Sequence, residues 1–207
     1  MKTILCYGDS NTWGYRPSEG SRYGRDQRWT GILQAELGPE YLVSEEGLNG
    51  RTTVWDDPLG ESRSGKTFLP VCLETHHPLD LVLIMLGTND LKQRFNLPAC
   101  DIAAGAGALV KMVQQSDAGP AGAAPQVLLI ASPPLGKLTA SADTFAGGPA
   151  KSLQLAGFYR EVAEQLGCHF RAAGTVVVTS DRDGVHWEAE EHRKFGQWLA
   201  REIAALI

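Results

Sequence analysis

Cysteine is scarce in this chain of 207 residues. Only Cys6, Cys72, Cys100 and Cys168 occur, with no C-x-x-C pair and with long, uneven spacings. A disulfide-stapled scaffold is therefore not expected, and the four read as reduced thiols. Long apolar runs are also missing. No stretch approaches the ~20 apolar residues that a membrane span needs. The opening Met-Lys-Thr-Ile-Leu-Cys-Tyr-Gly-Asp-Ser has one lysine and an apolar run too short for a secretory signal. These absences point to a cytoplasmic protein with no membrane partner. Neither sign of charge dominates: 19 Lys and Arg stand against 24 Asp and Glu, for a net charge of −5. That balance argues against nucleic acid or acidic lipid as a general partner. No internal repeat is visible.

What is present is ordinary for a globular protein, with 43% hydrophobic and 21% charged residues. The length suits a single domain over residues 1–207. Three apolar runs, Thr3 to Tyr7, Leu79 to Leu86 and Val127 to Ala131, lack alternation, as buried parallel strands do. Tyr41 to Ser44 and a segment within Cys168 to Thr179 are weaker strand candidates. Between them, Trp29, Ile32, Leu33 and Leu37 recur at helical spacing, as do Leu155, Phe158, Tyr159, Val162, Ala163 and Leu166. Phe195, Trp198, Leu199, Ile203 and Leu206 form a last apolar face, and Ala103 to Val113 reads as a helix weakened by two glycines. Alternation of strands and helices predicts an α/β class, with three α/β/α layers and a five-stranded parallel sheet. Ligands of such sheets bind beyond the carboxyl ends of the strands. Asp117 to Pro125 reads as a flexible surface linker, and the long Leu135 to Pro149 loop as a lid or interface element.

Chemistry-bearing residues follow the strands, as that rule demands. Gly8-Asp9-Ser10-Asn11-Thr12 follows the first, Gly87-Thr88-Asn89-Asp90 the central one, and Asp183-Gly184-Val185-His186 precedes the last helix. Each cluster alone is equally consistent with a helix cap or an Asx turn. Together they supply a nucleophile, an amide donor for an oxyanion, and a carboxylate that orients an imidazole. The order Ser, Asp, His also occurs in α/β-hydrolases, but the G-x-S-x-G elbow of those enzymes is absent.

The blocks Gly8-Asp9-Ser10, Gly50 within Glu-Gly-Leu-Asn-Gly-Arg-Thr-Thr, Gly87-Thr88-Asn89-Asp90 and Asp183-x-x-His186 resemble the SGNH, or GDSL-type, hydrolases. GDSNTWG, EEGLNGRTT, MLGTND and Ser132-Pro133-Pro134 are most similar to the bacterial arylesterase and acyltransferase branch. The resemblance implies a flavodoxin-like fold, a homo-oligomer and a serine esterase acting on short-chain aryl or acetyl esters. Acyl transfer, carbohydrate acetylesterase or thioesterase activity on the same residues are alternatives. It makes Ser10 the nucleophile, His186 the base and Asp183 its partner. The oxyanion hole would comprise the amides of Ser10 and Gly50 and the side chain of Asn89. No cofactor or metal is implied, only a small-molecule ester. Asp9 and Asp90 would hold turns. Two departures stand out: Asn11 where the family usually has Leu, and Phe170-Arg171 where the branch tends to carry an Asp. Asn11, Trp13 and Tyr15 are candidates to line the substrate pocket.

Three features compete with this reading. Gly60 to Thr67 matches the nucleotide-binding pattern G-x-x-x-x-G-K-[ST], but Trp55-Asp56-Asp57-Pro58-Leu59 before it is no strand, and its two acids would repel phosphate. His76, His77 and Asp80 lack a further spaced metal ligand and read as surface or capping residues. His192, one helical turn beyond Glu188, is expected to be solvated.

Overall fold

The computed structural model describes all 207 residues. Five strands form one sheet: β1 (Lys2–Gly8), β2 (Tyr41–Gly47), β3 (Leu81–Met85), β4 (Gln126–Ala131) and β5 (His169–Ala172). Their order is β2-β1-β3-β4-β5, and every neighbouring pair is parallel. The apolar runs behave as expected, since all five β3 residues are buried. The weak candidate at Tyr41 extends three residues further, to Gly47. Its later residues, Ser44, Glu45 and Glu46, are polar and only half-buried, so hydrophobicity does not mark them.

Six helices accompany the sheet: α1 (Ser10–Trp13), α2 (Trp29–Leu37), α3 (Gly65–His76), α4 (Ala99–Gln114), α5 (Gly148–Leu166) and α6 (Ala189–Ala204). Two cores lie on opposite sheet faces. Leu5, Tyr7, Val82, Ile84 and Leu129 pack with residues of α3, α4 and α5. Ile4, Cys6, Leu83, Met85 and Leu128 pack with residues of α2 and α6. Odd and even positions of one strand thus serve different layers, which explains the missing alternation. Phe195 meets Trp29 and Trp187 edge-on, at centroid distances of 5.3 and 5.0 Å. Truncating a ring so enclosed costs about 3–5 kcal/mol.

The glycines of α4 earn their place by close approach. A Cβ at Gly105 would lie 2.5 Å from the Thr53 hydroxyl, so the residue lets the helix press onto the loop after β2. One connection differs from expectation. Within Asp117 to Pro125, Ala118 is buried and its carbonyl accepts from the Leu79 amide at 2.8 Å. The segment is anchored at the foot of β3 and is not a free linker. The Leu135 to Pro149 loop is anchored to the segment around Gly184. Gly136 N–H donates to Gly184 O at 2.8 Å, Thr139 donates to Arg182 O at 2.7 Å, and Phe145 is buried.

His192 is not solvated. It is fully buried on the inner face of α6, where Nδ1 accepts from the Trp29 amide at 3.3 Å beside Tyr23 and Trp187. Burial, with smaller contributions from His186 and Arg28, lowers its pKa to about 3. The folded ring is therefore neutral at pH values where an unfolded chain would protonate it. Stability from this group is complete above the ordinary histidine value and is lost as pH falls toward about 3. His192→Asn keeps an acceptor but cannot titrate. In denaturant titrations, the stability difference between wild type and variant should shift against the wild type by up to about 1.4 kcal/mol per pH unit below pH ~6.5. A pH-independent difference between pH ~6.5 and ~4 contradicts this account.

Candidate active site

β1 and β3 are hydrogen-bonded neighbours with Gly8 opposite Met85, so their exits adjoin. β2 lies on the other side of β1, with Gly8 opposite Gly47. The chain segments after these strands meet at one sheet edge. After β1, the Asp9 side chain caps α1 by accepting from the Asn11 amide at 2.9 Å. That cap places Ser10 at the first helical position. After β2, the chain turns through Gly50 at φ +80°, where a side chain would be strained. After β3, Asn89 opens a 3₁₀ turn, Asn89–Leu91.

Buried polar bonds stitch these segments together. Arg51 lies over the Tyr7 ring and donates to Gly8 O at 2.9 Å and to Glu46 O. Asn89 Nδ2 donates to Arg51 O at 3.1 Å. Asp90 accepts from the Thr53 amide at 3.0 Å and the Thr53 hydroxyl at 2.5 Å. Burial pushes the Asp90 carboxyl up to about 6, against the lowering effect of those bonds. Asp9 is also raised, chiefly by burial, with the Asn11 amide opposing. Both acids thus hold turns.

His186 arrives from the loop between β5 and α6. Its Nε2 is 3.0 Å from Ser10 Oγ, and its Nδ1 is 2.8 Å from Asp183 Oδ2. The other Asp183 oxygen accepts from the Val185 and His186 amides, each at 2.9 Å. Burial raises the Asp183 carboxyl, but the bonds from His186 and from the two amides outweigh it and hold it at about 2. An ionised carboxylate can only accept, so Nδ1 carries the proton and Nε2 of the neutral ring is free to accept from Ser10. The Tyr15 ring stacks on His186 at 4.1 Å. The Ser10 and Gly50 amides donate to no protein atom. They are available to a ligand oxygen.

A cavity of about 330 Å³ joins Ser10, Gly50, Asn89, Tyr15 and His186. Asn11 and Trp13 do not line it. Asn11 is buried and donates to Val185 O at 3.3 Å, bracing the loop that carries His186. Trp13 carries the Arg22 guanidinium over its ring, 5.0 Å from the centroid. Asn49, Lys92, Arg94, Ser141, Thr144, Phe145 and Val185 complete the wall. Ser141, Thr144 and Phe145 belong to the Leu135 to Pro149 loop expected to act as a lid or interface element, and Asn49 to the block around Gly50, whereas Lys92 and Arg94 carried no sequence signal.

The rival features resolve into ordinary structure. No strand lies immediately before Gly60, whose amide donates to Asp57 O at 3.1 Å. Gly65 instead begins α3. His76 pairs with Glu46 at 2.7 Å, while Asp80 accepts from the Thr3 amide at 2.7 Å. No group of three metal-ligating side chains gathers anywhere.

Hydroxyl, imidazole and carboxylate in line beside free backbone amides, at the carboxyl edge of a parallel sheet, suit the class of α/β acyl hydrolases. Comparison with known sequences specifies the family. The sequence model of the GDSL-like lipase/acylhydrolase family matches residues 6–195, and the chain belongs to that family. It is a carboxylic ester hydrolase. Est24, a carbohydrate acetylesterase from Sinorhizobium meliloti, is similar at 43% identity and a TM-score of 0.96, with 100% of both chains covered. The aryl esterase of M. smegmatis is similar at 42% identity and a TM-score of 0.96, again with 100% of both chains covered. No curated protein matches the sequence. No helix is long and apolar enough to cross a membrane.

The low Asp183 value has a consequence for stability. A carboxyl held at about 2 adds stability above its ordinary value, and this is lost as pH falls through about 2. Asp183→Asn should cost about 1–2 kcal/mol at neutral pH, allowing for solvent screening at its exposed edge. The deficit should shrink as denaturation is repeated toward pH ~2; a constant deficit would show that Asp183 is not held ionised.

Proposed function

We propose that the chain hydrolyses short-chain aryl or acetyl esters through an acyl-enzyme on Ser10. The alignment of Asp183, His186 and Ser10 at 2.8 and 3.0 Å carries this reading. Ser10 Oγ attacks the ester carbonyl as its proton passes to His186 Nε2. The carbonyl oxygen becomes an oxyanion that accepts from the Ser10 and Gly50 amides and from the remaining N–H of Asn89. Collapse expels the alcohol, which takes the proton from His186. Water then attacks the acyl carbonyl as Nε2 takes one of its protons; the bond to Ser10 Oγ breaks, and that oxygen takes the proton back from Nε2 as the acid leaves. Asp183 stays ionised throughout and stabilises the imidazolium.

An acetylated carbohydrate is a second substrate reading. Its support is the polar wall of Asn49, Ser141 and Thr144, together with the similarity to Est24. Acyl transfer to an alcohol belongs to the same chemistry wherever water is partly excluded. A homo-oligomer would assist that exclusion. Trp55, Leu59, Phe68 and Val71 are exposed apolar side chains that a second copy would cover.

Hydrolysis of p-nitrophenyl acetate tests the reading. Ser10→Ala should reduce turnover by more than about 10³-fold, and Asn89→Ala should lower kcat about 10²- to 10³-fold with KM little changed. Activity surviving Ser10→Ala contradicts the assigned nucleophile. With a short-chain alcohol present, part of the acyl group should appear as the new ester; hydrolysis alone rejects transfer.

A further inference from the structure

A neutral short-chain ester needs no cation, yet one wall of the cavity is built from them. Lys92 and Arg94 follow the 3₁₀ turn that presents Asn89, and both line the cavity. Both bind one carboxylate, Asp57, at 3.4 Å from Lys92 Nζ and 3.0 Å from Arg94 Nε. A third cation approaches from the loop before α3. A Cβ placed on Gly50 would lie 3.5 Å from Arg63 Nε and 3.9 Å from Lys92 Nζ. Arg63 has no ion-pair partner and no side-chain hydrogen bond. Two cations therefore share one carboxylate in the cavity wall, and a third, Arg63, stands beside Gly50, a proposed oxyanion donor.

Structural need does not account for this excess. Asp57 also accepts from the Leu59 amide at 3.0 Å, and one cation would suffice to neutralise it. Lys92 is unfavourably placed without further compensation: its side chain is only 12% exposed. Burial disfavours its charge, Asp57 opposes that, the nearby Arg94 adds to it, and even with a small contribution from Asp9 the balance remains against the cation. A buried cation short of counter-charge is stabilised by an anion delivered to it. Asp183 does not serve, because it is committed to His186.

We propose that the cavity selects esters bearing a second, negatively charged group, a carboxylate being the simplest, which Lys92 binds with help from Arg63 and Arg94. This proposal rests on the esterase reading above. It assigns the three cations to specificity and no part of the chemical step to them.

Matched ester pairs test it. One pair is p-nitrophenyl hemisuccinate against p-nitrophenyl butyrate, with the charge on the acyl side. The other is 4-acetoxybenzoate against 4-acetoxybenzamide, with the charge on the alcohol side. For at least one pair, the ratio of kcat/KM for the anionic ester to that for the neutral ester should fall about tenfold in Lys92→Met, mainly through KM. Arg63→Met, which breaks no bond in the fold, should lower the same ratio about threefold, and the wild-type ratio should fall as salt rises toward about 0.5 M. If Ser10-dependent hydrolysis proceeds but both ratios are unmoved by the substitutions and by salt, the anionic-substrate proposal is overturned and the esterase reading stands. If no ester is hydrolysed in a Ser10-dependent way, both fall.

Discussion

The structure depends on the register that places β1 between β2 and β3, with Gly8 beside Gly47 on one side and Met85 on the other. In an open parallel sheet, the strand order reverses at this point, and the loops leaving adjacent strands part to form a crevice. Ser10, Gly50 and Asn89 each lie within a few residues of one of these exits. Their mutual placement is therefore largely a property of the sheet. Arg51 and Asp90 then tie the loops together, so the free amides sit on backbone that is held from both sides.

Electrostatics divides the acids at the site into different roles. Asp183 gains three hydrogen bonds that favour its charge and is held low, which sets the tautomer of His186. Asp90 has bonds as well, but sits in a fully buried place and rises to about 6. Burial opposes the charge of both, and the outcome differs because Asp90 is fully enclosed with Asp9 nearby, whereas Asp183 is partly open to solvent and hydrogen-bonded to His186. His192 shows the converse case, a fully buried ring kept neutral six residues along the chain from His186.

Much of this was legible in the sequence because the decisive residues are contiguous with strands. The apolar runs mark β1, β3 and β4, and the small polar clusters after them can be read directly. Glu45 and Glu46 hid the length of β2, since their carboxylates are satisfied by Arg28 and His76, far away in sequence. Asn11 beside Ser10 suggested a pocket residue, yet its partner is Val185, 174 positions away. Lys92, Arg94, Ser141 and Thr144 reach the cavity through loop conformation, which leaves no periodic trace. His192 is different: Phe195, Leu199 and Ile203 share its buried face, so helical periodicity carried a signal that its polar chemistry obscured.

The central claim is that Ser10 is the nucleophile, activated by His186. Mass spectrometry after incubation with a p-nitrophenyl alkylphosphonate tests it most directly, because the phosphonyl group stays on an activated serine. The account predicts one adduct per chain, mapped to the peptide containing Ser10 and absent from His186→Ala on the same timescale. An adduct on another residue, or undiminished labelling of the His186 variant, would contradict it.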